Sequence, residues 1–343
     1  MNGEISSYLW DGSGEPEAEV AQWEATLSSF RYAPRPLRIT AAEPARHWSA
    51  LRWLVPACAV VAVAALCLAG LSLWRLQWTA GAPWRVAAVR GTPQVNGAEL
   101  GMEGRLGVGD VVETDGNSSA DVRIARIGTM RVEPGTLLEL ISTKSHKHRI
   151  ALRHGRISAQ LWAPPWSLEM ETPSAMAFDL GCKFTLEVSP DGSGMMRVSS
   201  GWVQLESEGF QTLIPAGAEA ETRDGFAPGS PYFEDAPAQF KAALASVNFG
   251  PLDTPQREAA LAVVLGQARQ KDVMTLFNLM ARADREERGR IYDRAAQLDP
   301  PPAGVTREAI LAYDQQMMNR WWKTLRLGNA KTWWIHWEDA FGN

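Results

Sequence analysis

Between residues 176 and 188 the chain alternates. Met176, Phe178, Leu180, Cys182, Phe184, Leu186 and Val188 are apolar, and Asp179, Lys183, Thr185 and Glu187 fall between them. A period of two marks a half-buried strand, because successive side chains on extended backbone point to opposite faces. Strands usually run about five or six residues, so this one is expected to bend or break at Gly181. Shorter alternating runs recur at 122–127, 136–141, 149–153, 157–161 and 196–205, separated by turn residues such as Asp115-Gly116-Asn117, Pro134-Gly135, His154-Gly155, Asp191-Gly192 and Pro215-Ala216-Gly217. Many short strands at this spacing predict a sandwich, barrel or solenoid over residues 84–230.

Beyond Pro228, Pro231 and Pro237 the period changes to that of helices. Thr254-Pro255 is a cap followed by proline at the first helical position, and 259–280 is rich in helix formers. Further helices are expected over 285–298, ending at Pro300-Pro301-Pro302, from Thr306 to about residue 327, and over 331–341. Residues 236–343 are therefore expected to form an all-α domain.

Residues 53–74 form an apolar run of 22 residues without a charge. At 1.5 Å per residue such a run, if helical, spans about 30 Å of hydrocarbon. Arg52 and Arg75 bracket it, and Trp48, Trp53, Trp74 and Trp78 occupy the positions of an interfacial aromatic belt. The run is longer than a signal-peptide core, some fifty residues precede it, and Pro83 would follow a cut at Ala80-Gly81-Ala82. The expectation is an uncleaved single transmembrane helix. Arg31, Arg35, Arg38, Arg46 and Arg52 on one side against Arg75, Arg85 and Arg90 on the other place the N-terminus in the cytoplasm. The protein is then expected in the inner membrane, membrane-embedded by a single pass, with its bulk periplasmic.

Composition narrows the function classes. The chain has 343 residues, is 45% hydrophobic and 21% charged, and carries a net charge of -5, which excludes wholesale disorder. No concentrated basic stretch serves a nucleic-acid backbone, so no nucleic acid is expected as a partner. Of the three cysteines, Cys58 and Cys67 lie in the apolar run, leaving Cys182 alone: no disulfide framework and no cysteine-based zinc site.

The order of elements within 89–222 resembles the FecR domain. It is carried by Gly109-Asp110 with Thr114, by the stretches ADVRIARIGTMRVEPGTLLEL (120–140) and IALRHGRISAQL (150–161), by Thr172-Pro173 and GCKF (181–184), by Ser200-Gly201-Trp202-Val203, and by Pro215-Ala216-Gly217. The resemblance implies a β-solenoid-like or sandwich domain in the periplasm and a cytoplasmic head acting on a sigma factor of the extracytoplasmic-function class. The chain departs from the family at Cys182, where threonine is usual, and in its helical C-terminus. A siderophore signal is therefore not implied.

The fold class expected is thus multidomain: a cytoplasmic head (1–50) with a short amphipathic helix, a transmembrane helix (53–74), an all-β FecR-like domain (84–230) and an all-α domain (236–343). In the head, Val20, Trp23, Leu27 and Phe30 are spaced 3, 4 and 3 apart, the stripe of an amphipathic helix, and Glu15, Glu17, Glu19 and Glu24 crowd its start. These four apolar residues are the candidate partner-binding site. Two surfaces are open to them: a protein groove, such as the helices of a sigma factor, or the membrane. The function expected is an envelope signal relay controlling a sigma factor. A different class is a periplasmic scaffold that binds glycan or another protein and signals nothing.

No nucleophile elbow, phosphate-binding loop, dinucleotide fingerprint or His-Glu-x-x-His pattern is present, so no catalytic residues, no enzyme activity and no cofactor are expected. His146, His148 and His154 lack acidic or thiol companions and sit among Lys144, Lys147 and Arg149; a solvated turn is expected there, with no metal site. Trp321, Trp322, Trp333, Trp334 and Trp337 are expected to pack helix against helix.

Overall fold

The computed structural model describes residues 11–31, 61–70, 84–144, 147–251 and 255–325. Residues 1–64 and 65–343 are two compact units. In the first, helix α1 (Ala18–Leu27) is followed by a single 3-10 turn (Ser28–Phe30).

The second unit holds seventeen strands among the described residues, arranged as two layers. The first layer runs, in spatial order, β4 (Glu103–Leu106), β1 (Trp84–Arg90), β6 (Ser119–Ile124), β7 (Gly128–Val132), β9 (Lys147–Leu161), β12 (Lys183–Val188), β13 (Gly194–Ser200), β16 (Ala218–Thr222) and β17 (Tyr232–Phe233). The second runs β3 (Ala98–Glu99), β2 (Gln94–Val95), β5 (Val111–Glu113), β8 (Leu137–Lys144), β9 again, β10 (Leu168–Glu171), β11 (Met176–Asp179), β14 (Trp202–Ser207) and β15 (Phe210–Pro215). Among the described residues only β9 with β10 is parallel. The inward residues of both layers, from Trp84 and Val86 to Ala218 and Ala220, form one contiguous core.

Strand β9 belongs to both layers. Its first half pairs with β8 and β10, and its second half with β7 and β12. The alternation changes phase along it: His148, Ile150 and Leu152 are buried, then Ile157, Ala159 and Leu161. Side chains on one face of a strand recur every two residues, so a step from even to odd means that the backbone has turned over between them. The turn is at Gly155, with φ +98°. A Cβ there would collide with Cα and Oγ1 of Thr136 and with the Gly135 carbonyl. The sequence pattern marks 149–153 and 157–161 as separate strands with His154-Gly155 as a turn. The structure joins them into one fifteen-residue strand that is bent rather than broken.

The corner is held by a hydrogen-bond chain. Thr114 Oγ1 donates to the Glu133 carbonyl (2.7 Å) and accepts from the Thr136 amide (2.9 Å). Thr136 Oγ1 in turn accepts from the Arg156 amide (2.9 Å). Three consecutive crossings between the layers, at 114–118, 133–136 and 155–156, are thereby tied together.

At Gly181 the run 176–188 does break, and the phase flips there as well. Phe184, Leu186 and Val188 are core, but in β11 it is Ala177 and Asp179 that point inward. Phe178 lies on the other face against Trp166, with ring centroids 5.0 Å apart.

The helices that follow are α2 (Ala238–Phe249), α3 (Pro255–Gln267), α4 (Val273–Arg282), α5 (Arg285–Leu298), α6 (Arg307–Leu311) and α7 (Gln315–Trp322). Asp284 caps α5 by accepting from the Glu286 and Glu287 amides, and Asp314 caps α7 in the same way. The helix expected over 259–280 is two helices, because Asp272 binds back to the Arg269 amide and guanidinium and opens a new start. The expected helix over 331–341 lies outside the described residues, as do Trp333, Trp334 and Trp337. The helical core around Phe240, Leu261, Leu276, Ile291 and Trp321 meets the strand core through Met274 and Trp322. Strands and helices thus share one compact unit.

The expected transmembrane helix is corrected. Among the described residues no helix is long and apolar enough to cross a membrane. Within 53–74 the described residues are 61–70, and they are helical. Residues 53–60 and 71–74 lie outside the described residues. The inner-membrane, single-pass placement rested on that helix, and with it the cytoplasmic head and periplasmic bulk, so this localisation is not supported. The fold class is accordingly a large, mainly antiparallel β structure with helices at its C-terminal end, with no spanning helix among the described residues.

Gly155→Ala should destabilise the protein by about 3 kcal/mol or more, since it adds a backbone collision to a strained φ. Gly209→Ala, at φ +75° but facing open space, should cost only about 1 kcal/mol. Urea denaturation of the two variants checks this, and equal losses would show that no close approach occurs at Gly155.

Candidate functional site

Helix α1 carries the residues expected to bind a partner, and none of its residues is buried. Trp23 and Leu27, four apart and therefore on one face, are 66% and 61% exposed, and Phe30 in the following turn is 81% exposed. Val20 is half-buried. The stripe is thus presented rather than packed. The N-cap, Glu17, makes no side-chain capping bond, and a ten-residue helix is marginal in water without a buried face. Glu19 lies in the first turn, and Glu15, Glu17 and Glu24 are exposed beside it. Upstream, the Ser13 hydroxyl and amide bond to Asp11 and hold its carboxyl below the usual range. The surface combines an apolar ridge with carboxylates near its start. Its shape and charge suit a groove with an apolar floor and a basic rim.

The histidines do not converge. His148 is buried, edge-on to Trp84 (5.7 Å between centroids), with Nδ1 2.7 Å from Thr143 Oγ1, so the expected solvated turn is not found at this residue. His154, six residues further along β9, lies 3.1 Å through Nδ1 from the Gly135 carbonyl. His146 lies outside the described residues. Among the described residues no three His, Cys, Asp or Glu side chains are placed to hold a metal ion. Trp321 is buried between Phe277 and Tyr292, at 4.8 and 5.4 Å.

Two polar groups escaped the sequence reading. Asp179 is fully buried at the inner end of β11, where the Cys182 thiol donates to its Oδ1, and Oδ2 has no hydrogen-bond partner among the described residues. Burial raises its pKa to about 7, against the opposing pull of bonds from Cys182 and the Gly181 amide. Burial, reinforced by the Asp179 charge, pushes the Cys182 thiol well above its ordinary range, so it is held as a neutral core thiol. The alternating pattern hid Asp179 because it assigned odd positions to solvent throughout 176–188. The second group is Arg282, at the end of α4, whose Nη2 donates to Thr212 Oγ1 (2.7 Å) and ties the helices to β15. Burial lowers its pKa to about 10.

Asp179 gives stability a pH dependence of defined sign. Its folded pKa lies above the unfolded value, so its contribution is full below about pH 4 and is lost as pH rises to about 7. The loss should reach about 4 kcal/mol and then level off. Asp179→Asn should abolish this slope, as chemical denaturation between pH 4 and 8 would show; parallel curves for the two proteins would contradict it.

No protein-family model matches the chain. No curated protein matches it either. Two crystal structures of a candidate anti-sigma factor from Parabacteroides distasonis, at 1.65 and 2.50 Å resolution, are similar to it, each with 14% identity and a TM-score of 0.32. The likeness covers 39% of this chain and 63% and 62% of those chains, so this chain spans less than two thirds of their length.

Proposed function

We propose that this protein regulates a sigma factor by binding it through α1, with Trp23, Leu27 and Phe30 as the apolar anchors and Val20 at the edge of the contact. The observation that carries the reading is the exposure of this stripe on a helix with no buried residue. Burying a tryptophan and a leucine supplies about 1.5–3 kcal/mol each, enough to stabilise a short helix on its partner. The carboxylates of Glu15, Glu17, Glu19 and Glu24 favour a basic partner surface, which a DNA-binding sigma factor offers, and disfavour an anionic one. The resemblance of residues 89–222 to FecR domains supports the same partner. In the finer form of this reading the chain relays a signal, its strand-rich unit receiving the stimulus and its head acting on the sigma factor. In this reading the chain works by binding.

The test is direct binding of the full-length chain to each sigma factor of its own cell, purified singly. One of them should bind. Trp23→Asp and Leu27→Asp should each weaken that complex more than tenfold by placing an unpaired charge in the contact. Glu17→Lys should lower the association rate and leave dissociation nearly unchanged. Binding by none, or equal binding by the Trp23→Asp variant, would refute the reading.

A further inference from the structure

The outer face of the first layer carries charged residues in rows that run across the strands, and the register shows which of them oppose each other. In one row Asp121 faces Arg131, and Arg197 faces Glu219. Both pairs are closed, at 2.7 and 3.0 Å. In another, Arg156 faces Glu187 and bonds to it at 2.9 Å. Opposite charges on neighbouring strands are the stabilising arrangement, and like charges directly opposite are destabilising.

The row at the end of the layer breaks that rule. Arg105 of β4 faces Arg85 of β1, which faces Arg123 of β6. Arg123 faces Thr129 of β7, Thr129 faces Gln160 of β9, and Gln160 faces Lys183 of β12. Four cations and two neutral polar residues thus lie in one line, without an acid. All four cations are exposed, and among the described residues none of their side chains enters an ion pair or hydrogen bond. Arg85, Arg123, Thr129, Gln160 and Lys183 line a concave trough of about 850 Å³. Its acids, Glu103, Asp121 and Glu133, are kept to the other rows.

We infer that this row is a docking site for an extended acidic peptide segment of a partner protein. The three guanidinium groups at one end and the ammonium at the other supply the positive charge that carboxylates need, and arginine offers paired donors to each. From Arg105 to Lys183 the row crosses five strand intervals, roughly 24 Å, the length of about seven extended residues. The Thr129 hydroxyl, in the middle, can both donate and accept, as a peptide backbone requires. A nucleic acid fits less well. The trough-lining side chains include no exposed aromatic ring on which bases could stack, and a uniformly charged backbone would also meet Glu103, Asp121 and Glu133. This surface lies on the strand-rich unit, and the inference stands or falls independently of the sigma-factor reading of α1.

The probe is a synthetic peptide of about a dozen residues alternating glutamate and serine, which places its carboxylates on one face when extended. Fluorescence anisotropy with the full-length chain should give saturable binding that weakens at least fivefold between about 0.05 and 0.3 M salt. The double variant R85Q/R123Q should lose at least tenfold in affinity, whereas R197Q, in a paired row, should change it less than about threefold. Without peptide, R85Q alone should melt at a higher temperature than the parent at low salt, because a like-charge contact is removed. Absence of saturable binding, equal binding by R85Q/R123Q, or tighter binding of an oligothymidylate of the same length would each overturn the inference.

Discussion

The fold depends on one strand being shared by two layers. Strand β9 hydrogen-bonds to β8 and β10 before Gly155 and to β7 and β12 after it, so neither layer is complete without it. The bend must be tight, because Thr136 packs directly on the Gly155 backbone, and glycine alone meets both the left-handed φ and the absence of space. Thr136 also bonds to Arg156 and to Thr114, which fixes the neighbouring crossings by the same contact. From there the inward faces of both layers close on a single core, and the C-terminal helices attach to it through Met274 and Trp322.

Much of this was legible in the sequence. The alternation at 149–153 and 157–161 and the helix over 285–298 each express a local rule and appear where that rule puts them, whereas His154-Gly155 bends the strand instead of ending it. What was not legible involves neighbours distant in the chain. Asp179 reads as a solvent position until the phase flip at Gly181 is known, and that flip depends on β11 pairing with β14 while β12 pairs with β9. His148 reads as part of a charged turn until Trp84, 64 positions earlier, is seen edge-on against it. For the apolar run 53–74 the sequence predicts a spanning helix, and among the described residues no helix is long and apolar enough to cross a membrane. For the candidate site, the stripe of Val20, Trp23, Leu27 and Phe30 could be named from spacing, but its exposure could not.

Register explains the surface chemistry as it explains the core. Arg85, Arg105 and Arg123 are spread over nearly forty residues of sequence and do not stand out there. Brought side by side by strand pairing, they repel one another, and the adjacent rows show that this layer otherwise pairs its charges. The head has the complementary character, an apolar stripe flanked by carboxylates. Each unit therefore exposes a surface that is unfavourable on its own, the head through exposed apolar area and the strand-rich unit through like-charge contacts.

The claim that β9 unites the two layers is tested most directly by native-state hydrogen exchange along that strand. Amides on both sides of Gly155, such as those of Ile150 and Ala159, should open only with global unfolding and so share the highest exchange free energy and the same denaturant dependence. If the 148–153 half exchanges through a separate, lower-energy opening while 157–161 stays protected, the layers are independent and the account is wrong.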